Sequence, residues 1–225
     1  MGANRTPRGN MVATECRYPP PEPSVAAEIK RALDIFAAAA LTLASLPLFL
    51  LVALAIKLES KGPVLFRQQR RGLNFRTFTM LKFRSLRSAP DPHARYEMVE
   101  SDPRITHVGS FIRRTSIDEL PQLLNVIAGS MSLIGPRPLV EWESRECLAT
   151  HPDRFLMRPG ITGLSQVRMR NAGNLSSRSD YDVEYVHRWS LLLDLEVLIR
   201  TPKALLLGDA IYPQARRERQ RAHAG

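Results

Sequence analysis

Asp118 and Glu119 stand side by side in the stretch SIDE at 116–119, and three basic blocks accompany them: KFR at 82–84, the paired Arg113 and Arg114, and GPRP at 135–138. Adjacent carboxylates can divide labour, one acting as nucleophile while its neighbour holds a divalent metal or orients a reactant. Arginines and a lysine around such a pair suit a phosphorylated substrate, whose oxygens the guanidinium fork matches. A second reading of the same four residues is a capping box, with Ser116 as N-cap and Glu119 reaching back to it. The two are compatible, because a carboxylate in a first helical turn sits where amide N–H groups and the helix dipole favour anions. That setting would keep Asp118 ionised. Pro121 then requires the helix to begin close by, since deeper inside it would cost a hydrogen bond. Any single arginine here could equally be a solvated or lipid-facing charge.

These residues need a scaffold, and length and composition bound it. A chain of 225 residues, 44% hydrophobic, is long enough for one domain with tails. The net charge of +10 favours anionic partners without choosing among nucleic acid, phospholipid and phosphorylated small molecules. The two cysteines, Cys16 and Cys147, lie far apart. They offer neither metal-ligand spacing nor a disulfide framework and read as unpaired thiols in a reducing compartment. Residues 1–25 hold YPPPEP and no apolar periodicity, which reads as a disordered tail without a secretory signal.

Residues 32–56 form an apolar run with one charge, Asp34, near its start and are long enough to cross a bilayer as a helix. A soluble-core helix is the plainer alternative, set aside because the run is so long and uninterrupted. Lys30 and Arg31 precede it, while Lys57, Lys61, Arg67, Arg70 and Arg71 follow it, so both flanks read as cytoplasmic. Pro47 removes a helix hydrogen bond near the middle, and Ser45 is available to rebond a freed carbonyl. A bent, re-entrant helix satisfies flanks and proline together. A tilted single span is the alternative.

Beyond it, GPVLFRQQRRG and FRTFTMLKFRSL alternate apolar and basic residues, predicting one or two short strands with a turn near Gly72 and Asn74 and a basic face toward headgroups or substrate. Residues 88–104 read as a polar loop. Leu120, Leu123, Leu124 and Ile127 recur at helical spacing, with Gly129 as the stop. Prolines and glycines from Pro136 to Gly163 mark a turn-rich stretch around a helix near 140–150, a setting that often carries sites. From Ser179 onward the pattern predicts amphipathic helices broken at Pro202, with Trp189 as an interfacial anchor.

The order KRALDIF, apolar run, GPVLFRQQRRG, FTMLKFRSL, DPRITHVGSFIRR, SIDELPQLLNVIAGSMSLIGPRP, RPGITGLSQV, DVEYV and WSLLLDL resembles the bacterial sugar transferase family, whose members are monotopic phosphoglycosyl transferases. The resemblance implies an α+β, mainly helical fold: a re-entrant membrane helix at 30–57 and a cytosolic catalytic part at 58–210, within a domain spanning 26–210, followed by a basic tail at 211–225. It implies Asp118 as nucleophile with Glu119 as partner, both as magnesium ligands, substrate contacts from Lys82, Arg113, Arg137 and Arg158, and a helix bend at Ser45 and Pro47. Within that inventory Arg137 fits a phosphate clamp.

Two departures stand out. The family usually has Ser directly before the membrane-helix proline, whereas Leu46 intervenes here. After Gln166, members often read Gly-Arg-Asn where this chain has Met169, Arg170 and Asn171, which bears on substrate identity.

The implied reaction moves a phosphosugar from a nucleotide diphosphate sugar to a polyprenyl phosphate at the cytoplasmic face of the bacterial inner membrane, through an aspartyl phosphosugar. Nucleic acid is not an expected partner; a phospholipid membrane is, and a second copy of the chain is a further candidate. The rival reading is a non-catalytic membrane anchor or scaffold binding nucleic acid or anionic lipid, favoured by the tail QARRERQRA but having no use for SIDEL and GPRP.

Overall fold

A computed structural model describes residues 24–87, 102–169 and 174–206. The expected tails, most of the 88–104 loop, and Arg170 and Asn171 of the second departure lie outside the described residues. Helix α1, Val25–Glu59, starts where Ser24 accepts the Ala27 N–H at 3.2 Å and ends where the Ser60 N–H reaches Ile56 O. It is long and apolar enough to cross a membrane, and only 11% of its most apolar window is buried against protein. A soluble-core helix would hide that surface, so the soluble reading falls. Phe36, Leu43, Leu50, Leu51 and Leu54 point outward from it.

Helix α1 continues through Pro47. Proline frees the carbonyl four residues earlier, that of Leu43. The Ser45 hydroxyl donates instead to Leu41 O at 2.6 Å and Thr42 O at 3.3 Å, so the expected rebonding by Ser45 is not the one made. A hydroxyl on its own helix reaches back three or four positions, which from Ser45 overshoots Leu43.

The predicted strands pair as an antiparallel hairpin, β1 (Leu65–Arg71) with β2 (Thr77–Phe83), in the register Gln68 to Met80. Asn74 and Phe75 make the turn with positive φ, a conformation Asn tolerates better than most residues. Helix α2 (His107–Arg114), a 3-10 turn (Ile117–Glu119) and α3 (Gln122–Ile127) follow, and Gly129 at φ +92 stops the chain as the sequence predicts. Strand β3 (Ser132–Ile134) pairs in parallel with β4 (Gly160–Thr162); α4 (Glu141–Thr150) lies between them in sequence, and α5 (Leu164–Met169), α6 (Leu175–Arg188) and α7 (Leu191–Leu206) complete the body. With 64% of the described residues helical, the fold is mainly helical with short strands.

The last stretch departs from expectation. The break falls at Trp189 and Ser190, and α7 carries Pro202 inside it. Trp189 takes an extended ψ of 133° and Ser190 restarts the helix by accepting the Leu193 N–H at 3.1 Å, whereas α7 runs on through Pro202 as α1 does through Pro47. Trp189 is half-buried: it packs on the cluster of Ile134, Leu164, Tyr185 and Val197, and its indole N–H donates to Asp194.

Both ends of α1 are built into this body. In its first half Ala38 packs with Met80, Leu123, Val126 and Met131, and near its end Val52 and Ile56 pack with Phe83 and Ile112. Lys30 and Arg31, read from sequence as a membrane flank, are structural partners. The Lys30 ammonium meets Asp194 at 2.7 Å, and Arg31 donates to Val126 O and Met131 O, carbonyls at the end of α3 and just beyond it. Asp34, the lone charge of the apolar run, is buried and accepts from Ser132 Oγ at 2.6 Å and Leu133 N at 3.2 Å. At the other end the Glu59 carboxylate accepts the His107 and Val108 N–H groups and caps α2.

Candidate active site

Lys82, Glu119 and Arg137 come from three separate elements and meet at one carboxylate. Lys82 Nζ donates to Glu119 Oε1 at 2.6 Å, and an Arg137 NH group lies 3.8 Å from the same oxygen. Strand β2 delivers Lys82, and α3 fixes the strand: Asn125 accepts the Leu81 N–H at 2.9 Å and donates to Thr79 O at 2.8 Å. Because Asn125 and Glu119 lie on either side of Pro121 in one short segment, the same packing that seats α3 sets the dyad opposite Lys82. Two glycines allow the Arg137 loop to lie close. A Cβ on Gly160 would fall 2.1 Å from Gly135 N, and one on Gly135 would fall 2.4 Å from Arg158 O, so the IGPRP and RPGIT segments touch backbone to backbone.

The capping box is not formed. Ser116 is left-handed at φ 57° with no side-chain cap, and Glu119 turns to Lys82 and Arg137 rather than back toward Ser116. The dyad sits in a three-residue 3-10 turn, too short to carry the dipole that the sequence reading invoked to keep Asp118 ionised. Burial instead pushes the Asp118 carboxyl up to about 6, opposed by Lys82, reinforced by the Glu119 charge and opposed further by Arg113 and Arg137. For Glu119 burial also pushes upward, but Lys82, Arg137 and Arg70 outweigh it and hold the carboxyl down to about 2. The pair thus shares one negative charge readily and a second only with help from neighbouring cations.

Arg113, in the last turn of α2, lies near enough to act on Asp118. Arg158 does not join this cluster: it is exposed and its Nε donates to Gly129 O at 3.0 Å. Turning out from the RPG corner, its guanidinium caps the end of the α3 turn instead. Arg70 joins where sequence reasoning passed it over. It bonds Gln68 and Pro138 O, acts on Glu119, and burial lowers its own pKa to about 10. Its signal was the alternation of RQQRR, which puts Gln68 and Arg70 on one face of β1. Beside Arg137 a small recess between α5 and α6 is lined by Arg154, Ser165, Gln166, Arg178 and Asp182 among others.

Hard carboxylate oxygens beside gathered cations suit a magnesium ion shared with a substrate phosphate, a mode that needs only one or two protein carboxylates. Among the described residues no group of three or more His, Cys, Asp or Glu side chains could hold an ion by itself. Asp118 and Glu119 are the two carboxylates of the cluster that could share such an ion with a substrate phosphate.

The family profile described as "Bacterial sugar transferase" matches residues 25–208. The chain is 45% identical over 201 residues to the UDP-glucose:undecaprenyl-phosphate glucose-1-phosphate transferase of Caulobacter vibrioides, covering 85% of this chain and 75% of that protein. It is 44% identical over 187 residues to the undecaprenyl-phosphate glucose phosphotransferase of Komagataeibacter xylinus, covering 77% of this chain but only 35% of that one. Against the exopolysaccharide production protein ExoY of Rhizobium meliloti the identity is 37% over 198 residues, covering 81% and 88%. The matched profile takes in α1, the hairpin, the dyad and the Arg137 loop together, and the chain belongs to the bacterial sugar transferase family.

Proposed function

We propose that this phosphoglycosyl transferase moves a phosphosugar from a UDP-sugar to a polyprenyl phosphate at the cytoplasmic face of the inner membrane, starting a membrane-linked glycan or exopolysaccharide. One observation carries the reading: an acidic pair, ringed by Lys82, Arg113, Arg137 and Arg70, is packed under an apolar helix whose outer face is bare. A scaffold would have no use for a half-buried charge cluster of that kind. The names of the relatives supply the nucleotide and the lipid.

In the first half-reaction an Asp118 oxygen attacks the phosphorus that bears the sugar. The phosphoanhydride bond breaks, its electron pair leaves with UMP, and the phosphosugar stays on Asp118 as an acyl phosphate. In the second, a polyprenyl phosphate oxygen attacks the same phosphorus and returns the Asp118 carboxylate. One anhydride is exchanged for another, so the overall free energy is small and the barrier lies in charge repulsion. Lys82 and Arg137 hold Glu119 ionised and face the phosphates as charge builds on their oxygens. Magnesium, held by Asp118 and Glu119, would supply further neutralisation. Detergent-solubilised protein is expected to release UMP from one of a panel of UDP-sugars given polyprenyl phosphate, and to stop when EDTA is added. Turnover that survives chelation would remove the metal from this scheme, and no turnover with any nucleotide sugar would remove the scheme.

The two ends of α1 support a re-entrant course. The Lys30 end and the Glu59 end both bond to one body, whereas a straight span would part them by the thickness of the bilayer. Cysteines placed at Ser24 and Lys61 are expected to be shielded from an impermeant thiol reagent in intact cells. Labelling of either from outside would establish a span.

A further inference from the structure

Arg154 and Asp182 lie 36 and 64 residues beyond Asp118 in sequence and have no part in the chemistry above, yet they are among the most deeply buried charges, at 3% and 1% exposure. They form an ion pair, and the same Arg154 NH2 group that meets Asp182 also donates to Arg137 O at 2.9 Å. The Asp182 carboxylate in turn lies against the Arg137 N–H and the Ser165 hydroxyl, although its Oδ1 closes no well-formed hydrogen bond. The Arg137 peptide is thus bracketed, carbonyl and amide, by two opposite buried charges. Both neighbours of Arg137 are prolines, which restrict its backbone to an extended conformation and leave Pro136 and Pro138 without donors of their own. The bracket therefore acts on a short rigid rod. Further anchors secure the rod at its ends: Gly160 N donates to Pro136 O at 2.9 Å and Arg70 donates to Pro138 O at 3.2 Å.

Burying two charges is costly, and a hydrophobic pair would fill the space as well. We propose that the Arg154–Asp182 pair is a positioning unit that fixes the Arg137 backbone so that its half-exposed guanidinium stays beside Glu119. This rests on Arg137 acting as the phosphate clamp of the proposed reaction. A loose clamp, displaced by about 1 Å, costs on the order of 100-fold in rate.

The test replaces the pair together, Arg154→Met with Asp182→Leu, in the full chain, because removing one partner strands the other's charge. The double variant is expected to keep its circular dichroism. Amide exchange across 135–139 should quicken at least about tenfold, and kcat/KM for the UDP-sugar should fall on the order of 100-fold. Added to Arg137→Ala, the double change should cause no further loss, since the clamp it positions is already gone. Unchanged exchange, or a loss that multiplies fully with that of Arg137→Ala, overturns the proposal. Should the double variant not fold, Arg154→Lys keeps the ion pair without the planar fork, and wild-type exchange and turnover there would overturn it equally. If the wild type turns over no nucleotide sugar, the reaction assigned above fails, while the exchange measurement still decides whether the pair holds the loop.

Discussion

Asp118→Asn protein, given the accepted UDP-sugar without lipid, is expected to release no UMP and to gain no mass, whereas wild type should release UMP stoichiometrically and gain one phosphosugar. The substitution keeps the shape of the side chain and removes the charge that must attack phosphorus, so its loss reads nucleophilicity. Circular dichroism should be unchanged. With burial raising the wild-type carboxyl to about 6, a larger fraction is protonated as pH falls through that value, and kcat/KM should drop about tenfold per pH unit below it and level above. Lys82 opposes that rise, so Lys82→Met should shift the break to higher pH. Intact-protein mass spectrometry decides the central point. An unmodified wild type that still turns over with polyprenyl phosphate present would replace the covalent route by direct attack of the lipid phosphate, with Asp118 as a metal ligand.

The residue types of the site were legible because they are local: an acidic pair beside a proline-started helix and basic blocks with glycine and proline around them. The hairpin, the α3 stop at Gly129 and the helix at 141–150 were legible for the same reason, each being written in turn residues and periodicity. What sequence could not choose was partners. SIDE satisfies the capping pattern, and only the tertiary approach of β2 and the GPRP loop turns Glu119 away from Ser116. Arg158 shares its block with residues that pack the loop, yet its side chain leaves for Gly129. Lys30 and Arg31 obey the rule for cytoplasmic flanks while serving as buried or half-buried anchors to residues about 95 to 164 positions away. Strand alternation alone puts Arg70 on a face with Gln68, but its approach to Glu119 depends on the register that is fixed only when β1 meets β2.

Those long-range anchors lead to the second large effect, at Asp194. Its carboxylate takes Lys30 Nζ at 2.7 Å, the Tyr185 hydroxyl at 2.6 Å and the Trp189 indole N–H at 3.3 Å, so one buried group ties α1, α6 and α7 together. Asp194→Asn keeps an oxygen for Tyr185 but leaves the buried Lys30 ammonium with only Asp34, 3.8 Å away. Breaking one side of such a pair costs about 3–5 kcal/mol. Unfolding by denaturant in detergent micelles should show a loss of that size, and Lys30→Met combined with Asp194→Leu should restore much of it by removing both charges. A single-variant loss under about 1 kcal/mol would mean that solvent reaches the pair and that the α1 anchor lies elsewhere. The same substitution should also lower turnover in protein that remains folded. Tyr185 spans from Asp194 to Ile134 O at 3.1 Å, and Ile134 is followed directly by the Gly135–Pro136–Arg137 loop, so an anchor that seats the membrane helix also steadies the strand from which the phosphate clamp departs.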